Sequence, residues 1–159
     1  LLREITRKEI LRFRKYVGLA AYVLKRKFFG EHCGDCVDPI SGQVTDARCE
    51  KCFATGICGG FHLPIEAWVE VAPMVNDKAL RPDGFGMAEN FTTQVRLVSY
   101  PLVTRGDVLV EAESNRRFHV RAIQPIELRT TPVVQLITVS QLPWSEIEYK
   151  IPLTPVLVP

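Results

Sequence analysis

Apolar residues recur at helical spacing at the start of the chain: Leu2, Ile5, Ile10, Leu11, Phe13 and Val17 form a broad stripe with basic residues opposite. That period predicts a helix over 2–17. Thr6 followed by Glu9 has the spacing of a capping box, which would start the regular part there, and Gly18 is a natural stop. From Leu19 to Phe28 the period falls to two, because Tyr22, Leu24 and Arg26 alternate with Val23, Lys25 and Lys27. A first strand is expected there.

Short strand signals return after residue 60. Ile65 to Val71, Thr92 to Val98, Val108 to Val110, Arg117 to Ile123, Ile126 to Leu128 and Val133 to Val139 are apolar or alternating. Turn chemistry separates them: Pro101, Arg105-Gly106-Asp107, Ser114-Asn115, Gln124-Pro125 and Thr130-Thr131-Pro132. Strands at this spacing with no helical pattern between them predict a mainly β fold, a small barrel or sandwich. The stretch 73–90 reads as a long polar loop. Three prolines in 151–159 forbid a helix or a central strand, so this end is expected to be an extended arm lying on its own domain or, the favoured reading, on a neighbouring subunit. The expected organisation is a single domain over 1–159. It comprises a basic helix and first strand (1–29), an insertion (30–60), the β body (61–150) and the arm (151–159).

The insertion breaks the pattern. Residues 30–60 hold all five cysteines, glycines 30, 34, 42, 56, 59 and 60, and few large aliphatic residues. Such a segment cannot build a core, so something other than hydrophobic burial must hold it. Cys33-Gly34-Asp35-Cys36 and Cys49-Glu50-Lys51-Cys52 are two C-x2-C units. Two thiolates on a tight turn can aim at one ion, and two such turns complete a tetrahedron. Cys33, Cys36, Cys49 and Cys52 are therefore the expected ligands of a structural Zn2+ in a zinc-ribbon loop. Gly34 is expected to let backbone amides turn toward the sulfurs. Zinc suits four soft thiolates and carries no redox liability. A rubredoxin-like iron centre uses the same ligands, and two disulfides are the remaining reading, disfavoured in a chain with no export signal. Cys58 is expected to be a small buried apolar residue; the paired turns argue against its replacing Cys52 as a ligand. His32 is expected to be a neighbour of the site, and His62 and His119 structural residues in strands. Four thiolates leave no open position for water, and no Ser-His-Asp, H-E-x-x-H or phosphate-cradling glycine motif is present. No enzyme and no small-molecule substrate are expected.

Charge sharpens the picture. Formal net charge is only +2, but residues 1–29 carry Arg3, Arg7, Lys8, Arg12, Arg14, Lys15, Lys25, Arg26 and Lys27 against Glu4 and Glu9. These nine are the candidate contacts to DNA or to an acidic partner surface. The remainder of the chain is net acidic. No run approaches the roughly 18 apolar residues of a membrane span, and the amino terminus does not read as a signal peptide, so no membrane and a cytoplasmic place of synthesis are expected. The sequon at Asn90-Phe91-Thr92 and the Arg105-Gly106-Asp107 triplet are taken as chance or turn chemistry.

One order of features carries a resemblance: the basic helix, Tyr22-Val23-Leu24-Lys25-Arg26-Lys27, the four-cysteine loop, Gly59-Gly60-Phe61, a strand, Arg105-Gly106-Asp107-Val108-Leu109-Val110, and Arg116-Arg117-Phe118-His119-Val120. It resembles neck proteins of tailed bacteriophages, the head-closure and adaptor-like β-barrels of the head–tail connector. The resemblance implies a structural virion protein made in the bacterial host cytoplasm. Such a protein forms a homo-oligomeric ring between portal or adaptor and tail-side neck proteins, with DNA passing through the lumen and no cofactor beyond a structural metal. The alternative is a zinc-ribbon nucleic-acid-binding module. Against it, residues 30–60 hold only Arg48 and Lys51 as cations beside Glu31, Asp35, Asp38, Asp46 and Glu50.

Overall fold

The computed structural model describes residues 2–71, 92–128 and 130–153. Among the described residues there are one α-helix, α1 (Leu2–Arg12), a short 3-10 helix (Ile147–Lys150), and six strands: β1 (Leu19–Leu24), β2 (Ile65–Val71), β3 (Thr92–Val98), β4 (Val108–Glu111), β5 (Arg117–Leu128) and β6 (Thr131–Gln141). The strands close into an antiparallel barrel in the order β1-β2-β3-β6-β5-β4, with β4 returning to β1. The mainly β expectation is met by a barrel, not a sandwich. The expected loop 73–90 and the Asn90-Phe91-Thr92 triplet as a unit lie outside the described residues.

Alternation explains the lumen. Ala21 and Val23 of β1, Ala67 and Val69 of β2, Val95 and Leu97 of β3, Leu109 of β4, Val120 of β5, and Ile137 and Val139 of β6 point inward into one buried cluster. Each Val, Leu and Ile among them contributes roughly 1.5–3 kcal/mol on burial, and the two alanines less. The run Val108-Leu109-Val110 does not alternate because both faces of β4 are covered. Val108 and Val110 join Leu24, Phe61, Leu142 and Ile151 in a second cluster on the outside of β1 and β4. From Ala122 to Leu128 the pairing of β5 is to β6 alone, with register shifts between Val120 and Ala122 and between Ile126 and Glu127. Pro125 sits in this one-sided stretch, where a strand tolerates proline. The break expected at Gln124-Pro125 is thus absent, and 117–128 is one strand.

The amino-terminal expectations need three corrections. Regular helix ends at Arg12, and Phe13–Val17 forms a π turn closed by the Gly18 amide donating to the Phe13 carbonyl at 2.8 Å. Gly18 does stop the helical run, but by close approach and not by a left-handed turn: its φ is −83°, and a Cβ there would lie 2.6 Å from the Phe13 oxygen and 2.9 Å from the Trp68 Cβ. Thr6 is no cap. The helix already runs from Leu2, the Thr6 hydroxyl donates back to the Leu2 carbonyl at 3.1 Å, and Glu9 pairs with Arg12 at 3.0 Å.

β1 also ends earlier than alternation suggests. After Leu24 the chain leaves the β2 ladder and forms a stem: the Lys27 amide donates to the Gly60 carbonyl at 2.9 Å, and the His62 amide to the Lys25 carbonyl at 2.8 Å. Residues 30–60 hang from this stem as a knuckle. At the other terminus, the expected arm begins inside its own domain. Ile151 is buried, Leu153 packs against the same outer cluster, and the Ile151 carbonyl accepts from Arg117 at 3.0 Å. Residues 154–159 lie outside the described residues.

Candidate metal centre

Two tight turns present the cysteines. In the first, the Val37 amide donates to the Cys33 carbonyl at 3.1 Å, and the Cys36 carbonyl accepts both the amide (2.7 Å) and the hydroxyl (3.0 Å) of Thr45. In the second, the Phe53 amide donates to the Cys49 carbonyl at 2.9 Å, and the Thr55 amide and hydroxyl cap the Cys52 carbonyl at 3.0 and 2.6 Å. The Cys33 amide donates to the Gly56 carbonyl at 2.9 Å, locking one turn to the other. Gly60 closes the second turn at φ +55°, where a Cβ would stand 2.4 Å from the Cys52 carbonyl oxygen. Gly34 has no such duty, since a Cβ there meets nothing within 4 Å.

The result is a compact set. Cys33, Cys36, Cys49 and Cys52 are all buried, and their sulfurs lie within 4.8 Å of one another. The Cys33 and Cys49 sulfurs are 3.7 Å apart and those of Cys36 and Cys52 3.0 Å. A tetrahedron with metal–sulfur bonds of ~2.3 Å has edges of about 3.8 Å, close to the first pair. None of the four is in a disulfide, whose S–S bond would be about 2 Å. Four thiols in one buried place cannot all ionise without a cation. The Cys52 thiol, then burial, pushes the Cys36 thiol up, whereas the Cys36 thiol, then the Cys52 and Lys51 amides, lowers Cys49 to about 7. A bound ion would relieve the crowding by replacing the protons. These residues can hold one metal ion with a closed, all-thiolate sphere.

The other candidates fall outside the set. Cys58 is exposed, not buried as expected, and its thiol contacts the His32 carbonyl at 3.7 Å. His32 is exposed beside the site and bridges to Ile57 through its backbone. His62 is not in a strand but exposed in the loop leading to β2, whereas His119 lies in β5, 3.6 Å from Glu148.

The nine basic residues divide into two groups. Arg3, Arg7, Lys8, Arg12, Arg14 and Lys15 are exposed on α1 and its π turn, with the Arg14 guanidinium 5.1 Å from the Trp68 ring centre. Lys25, Arg26 and Lys27 belong to the stem and are half-buried. Lys25 is no surface contact: its Nζ donates to the Leu102 carbonyl at 2.8 Å and to Asp107 at 2.9 Å. Lys27 Nζ reaches the Cys58 carbonyl at 3.4 Å. The Arg105-Gly106-Asp107 triplet is turn chemistry: Asp107 is wholly buried and accepts from Lys25, the Arg26 amide, the Thr104 amide and the Thr104 hydroxyl.

Three features escaped the sequence reading. Arg117 is buried beneath Tyr149 and donates to the Glu148 and Ile151 carbonyls. Gln135 is buried and bridges Val98, Pro101 and Val103. One end of the barrel also keeps a cavity of about 220 Å³ lined by Leu19, Val69, Val95, Leu109 and Phe118, with the Glu111–Arg116 ion pair (2.8 Å) at its lining. No protein-family model and no curated protein matches this chain.

Proposed function

We propose that this chain is a non-enzymatic structural subunit of a tailed-phage neck, one of a ring joining the capsid portal to the tail, with DNA passing through the lumen. The observation that carries the structural reading is the buried four-thiol cluster, a closed site with no coordination position left for a substrate. The phage reading rests on the order of features that resembles connector barrels. In its support, Gly106-Asp107-Val108-Leu109-Val110 and Arg116-Arg117-Phe118-His119-Val120 supply adjacent antiparallel strands of a closed barrel.

The ion we assign is Zn2+. Four soft thiolates in a near-tetrahedral set match its preferences, and it turns a glycine-rich knuckle into a rigid contact surface. The ion's role is folding; Cys33, Cys36, Cys49 and Cys52 would hold it, and the Cys49 amide contacts spread thiolate charge. Elemental analysis of the purified protein should return one zinc per chain and no iron absorbance. Native mass together with electron microscopy of particles should place a ring of this chain at the head–tail junction. Absence of the chain from purified virions would refute the phage assignment, whereas zinc content tests the staple independently.

A further inference from the structure

The two charged elements of this chain occupy opposite flanks of the barrel. Helix α1 packs toward β3 and β6, and its π turn packs on β2. The knuckle lies against the other half: Phe53 and Phe61 pack on the outer side chains of β1 and β4 together with Leu142 and Ile151, and Lys150 pairs with Glu50. In the closed order β1-β2-β3-β6-β5-β4, the β2-β3-β6 half and the β5-β4-β1 half face away from each other.

Their charges are opposite as well. Residues 2–17 expose Arg3, Arg7, Lys8, Arg12, Arg14 and Lys15, against Glu4 and Glu9. The knuckle carries Glu31, Asp35, Asp38, Asp46 and Glu50 against Arg48 and Lys51, with Asp35 paired to Lys51, Glu50 to Lys150 and Asp38 half-buried, and a divalent ion held by four thiolates leaves the centre itself anionic. Both flanks also expose large apolar side chains. On the knuckle and its stems Phe29 is 92% and Ile40 95% exposed, with Phe28 and Leu63 also outward; on the helix side Tyr16 is 82% exposed beside Leu11 and Val17. Exposed apolar groups rimmed by charge mark contact surfaces.

We infer that the α1 flank of one copy docks on the metal knuckle of a second copy, a heterologous contact repeated from subunit to subunit. This rests on the ring reading above and names its interface. Two different complementary patches on one chain generate a ring when the rotation closes. Placing them on opposite flanks lets every copy use both at once. Opposite charge steers the encounter and fixes which patch meets which, and the apolar side chains supply the buried centre. The acidic knuckle itself would repel a phosphate backbone, and it offers the basic helix a protein surface of opposite charge.

The test uses the metal-loaded full chain in sedimentation velocity across a salt series. Arg7→Glu with Lys8→Glu reverses the helix patch, and Glu31→Lys with Asp46→Lys reverses the knuckle patch. None of the four is a thiol ligand, and retained metal content verifies each fold. The wild type is expected to assemble and to weaken as salt rises. Each reversed pair should weaken assembly on the order of a hundredfold, and all four substitutions in one chain should restore it. Assembly that survives both reversals would overturn this interface while leaving the ring intact. A wild type that stays monomeric at every concentration would remove the ring and the interface together. If the helix reversal abolishes duplex-DNA binding and leaves assembly untouched, the helix serves nucleic acid and the inference fails.

Discussion

Asp107→Asn probes the joint between barrel and knuckle. The Asp107 carboxylate is fully buried, whereas its cationic partner Lys25 keeps 23% of its side chain exposed. Oδ2 accepts from Lys25 Nζ at 2.9 Å, the Thr104 amide at 2.7 Å and the Thr104 hydroxyl at 3.1 Å, and Oδ1 accepts from the Arg26 amide at 2.9 Å. An amide side chain offers one acceptor oxygen and two donors. With its oxygen at the Oδ2 place, its NH2 meets the Arg26 amide; flipped, it meets Lys25 and Thr104. Either orientation strands at least one donor, at about 1–3 kcal/mol, and deprives the ammonium of its counter-charge. Breaking a buried pair costs roughly 3–5 kcal/mol, and the partial exposure of Lys25 puts this case at the lower end, about 3 kcal/mol. In urea unfolding of the metal-loaded protein this should move the midpoint down by roughly 1–3 M without altering the slope. Metal stoichiometry should not change, because no thiol is touched. A loss below about 0.5 kcal/mol would show that water or a neighbouring group satisfies these donors, and the account of the joint would be wrong.

Cys36→Ser or Cys49→Ser should release the ion and unfold 30–60, whereas Cys58→Ser should leave metal content unchanged; metal analysis with amide exchange across the knuckle distinguishes them. Gly60→Ala should weaken metal retention against a competing chelator because its Cβ would collide with the Cys52 carbonyl, while Gly34→Ala should be silent. Ile151→Ala should destabilise the isolated chain by about 2–4 kcal/mol, since this side chain is 4% exposed in the outer cluster; an unchanged melting midpoint would return the residue to an external arm. The Arg116 guanidinium holds the Glu111 carboxyl below its ordinary value. The unfolded chain therefore binds that proton first as pH falls. The stabilisation is full above the ordinary glutamate value and disappears as pH drops through the lowered folded value. Glu111→Gln should flatten this part of the stability–pH curve measured by denaturant titration.

What could be read from the chain alone were the features decided over a few residues. The paired C-x2-C turns gathered one thiol set, because each turn aims two sulfurs within a span of four residues, and 30–60 held too little apolar surface to fold otherwise. Period-two alternation located most strands for the same local reason. Tertiary structure decided the rest. It joined Lys25 to Asp107 across 82 positions, which turned a candidate surface cation into part of a joint. It buried Arg117 under Tyr149, drew Ile151 into the domain's own core and brought β4 back to β1 to close the barrel. Each of these depends on strand register, and register is fixed only when distant apolar faces meet.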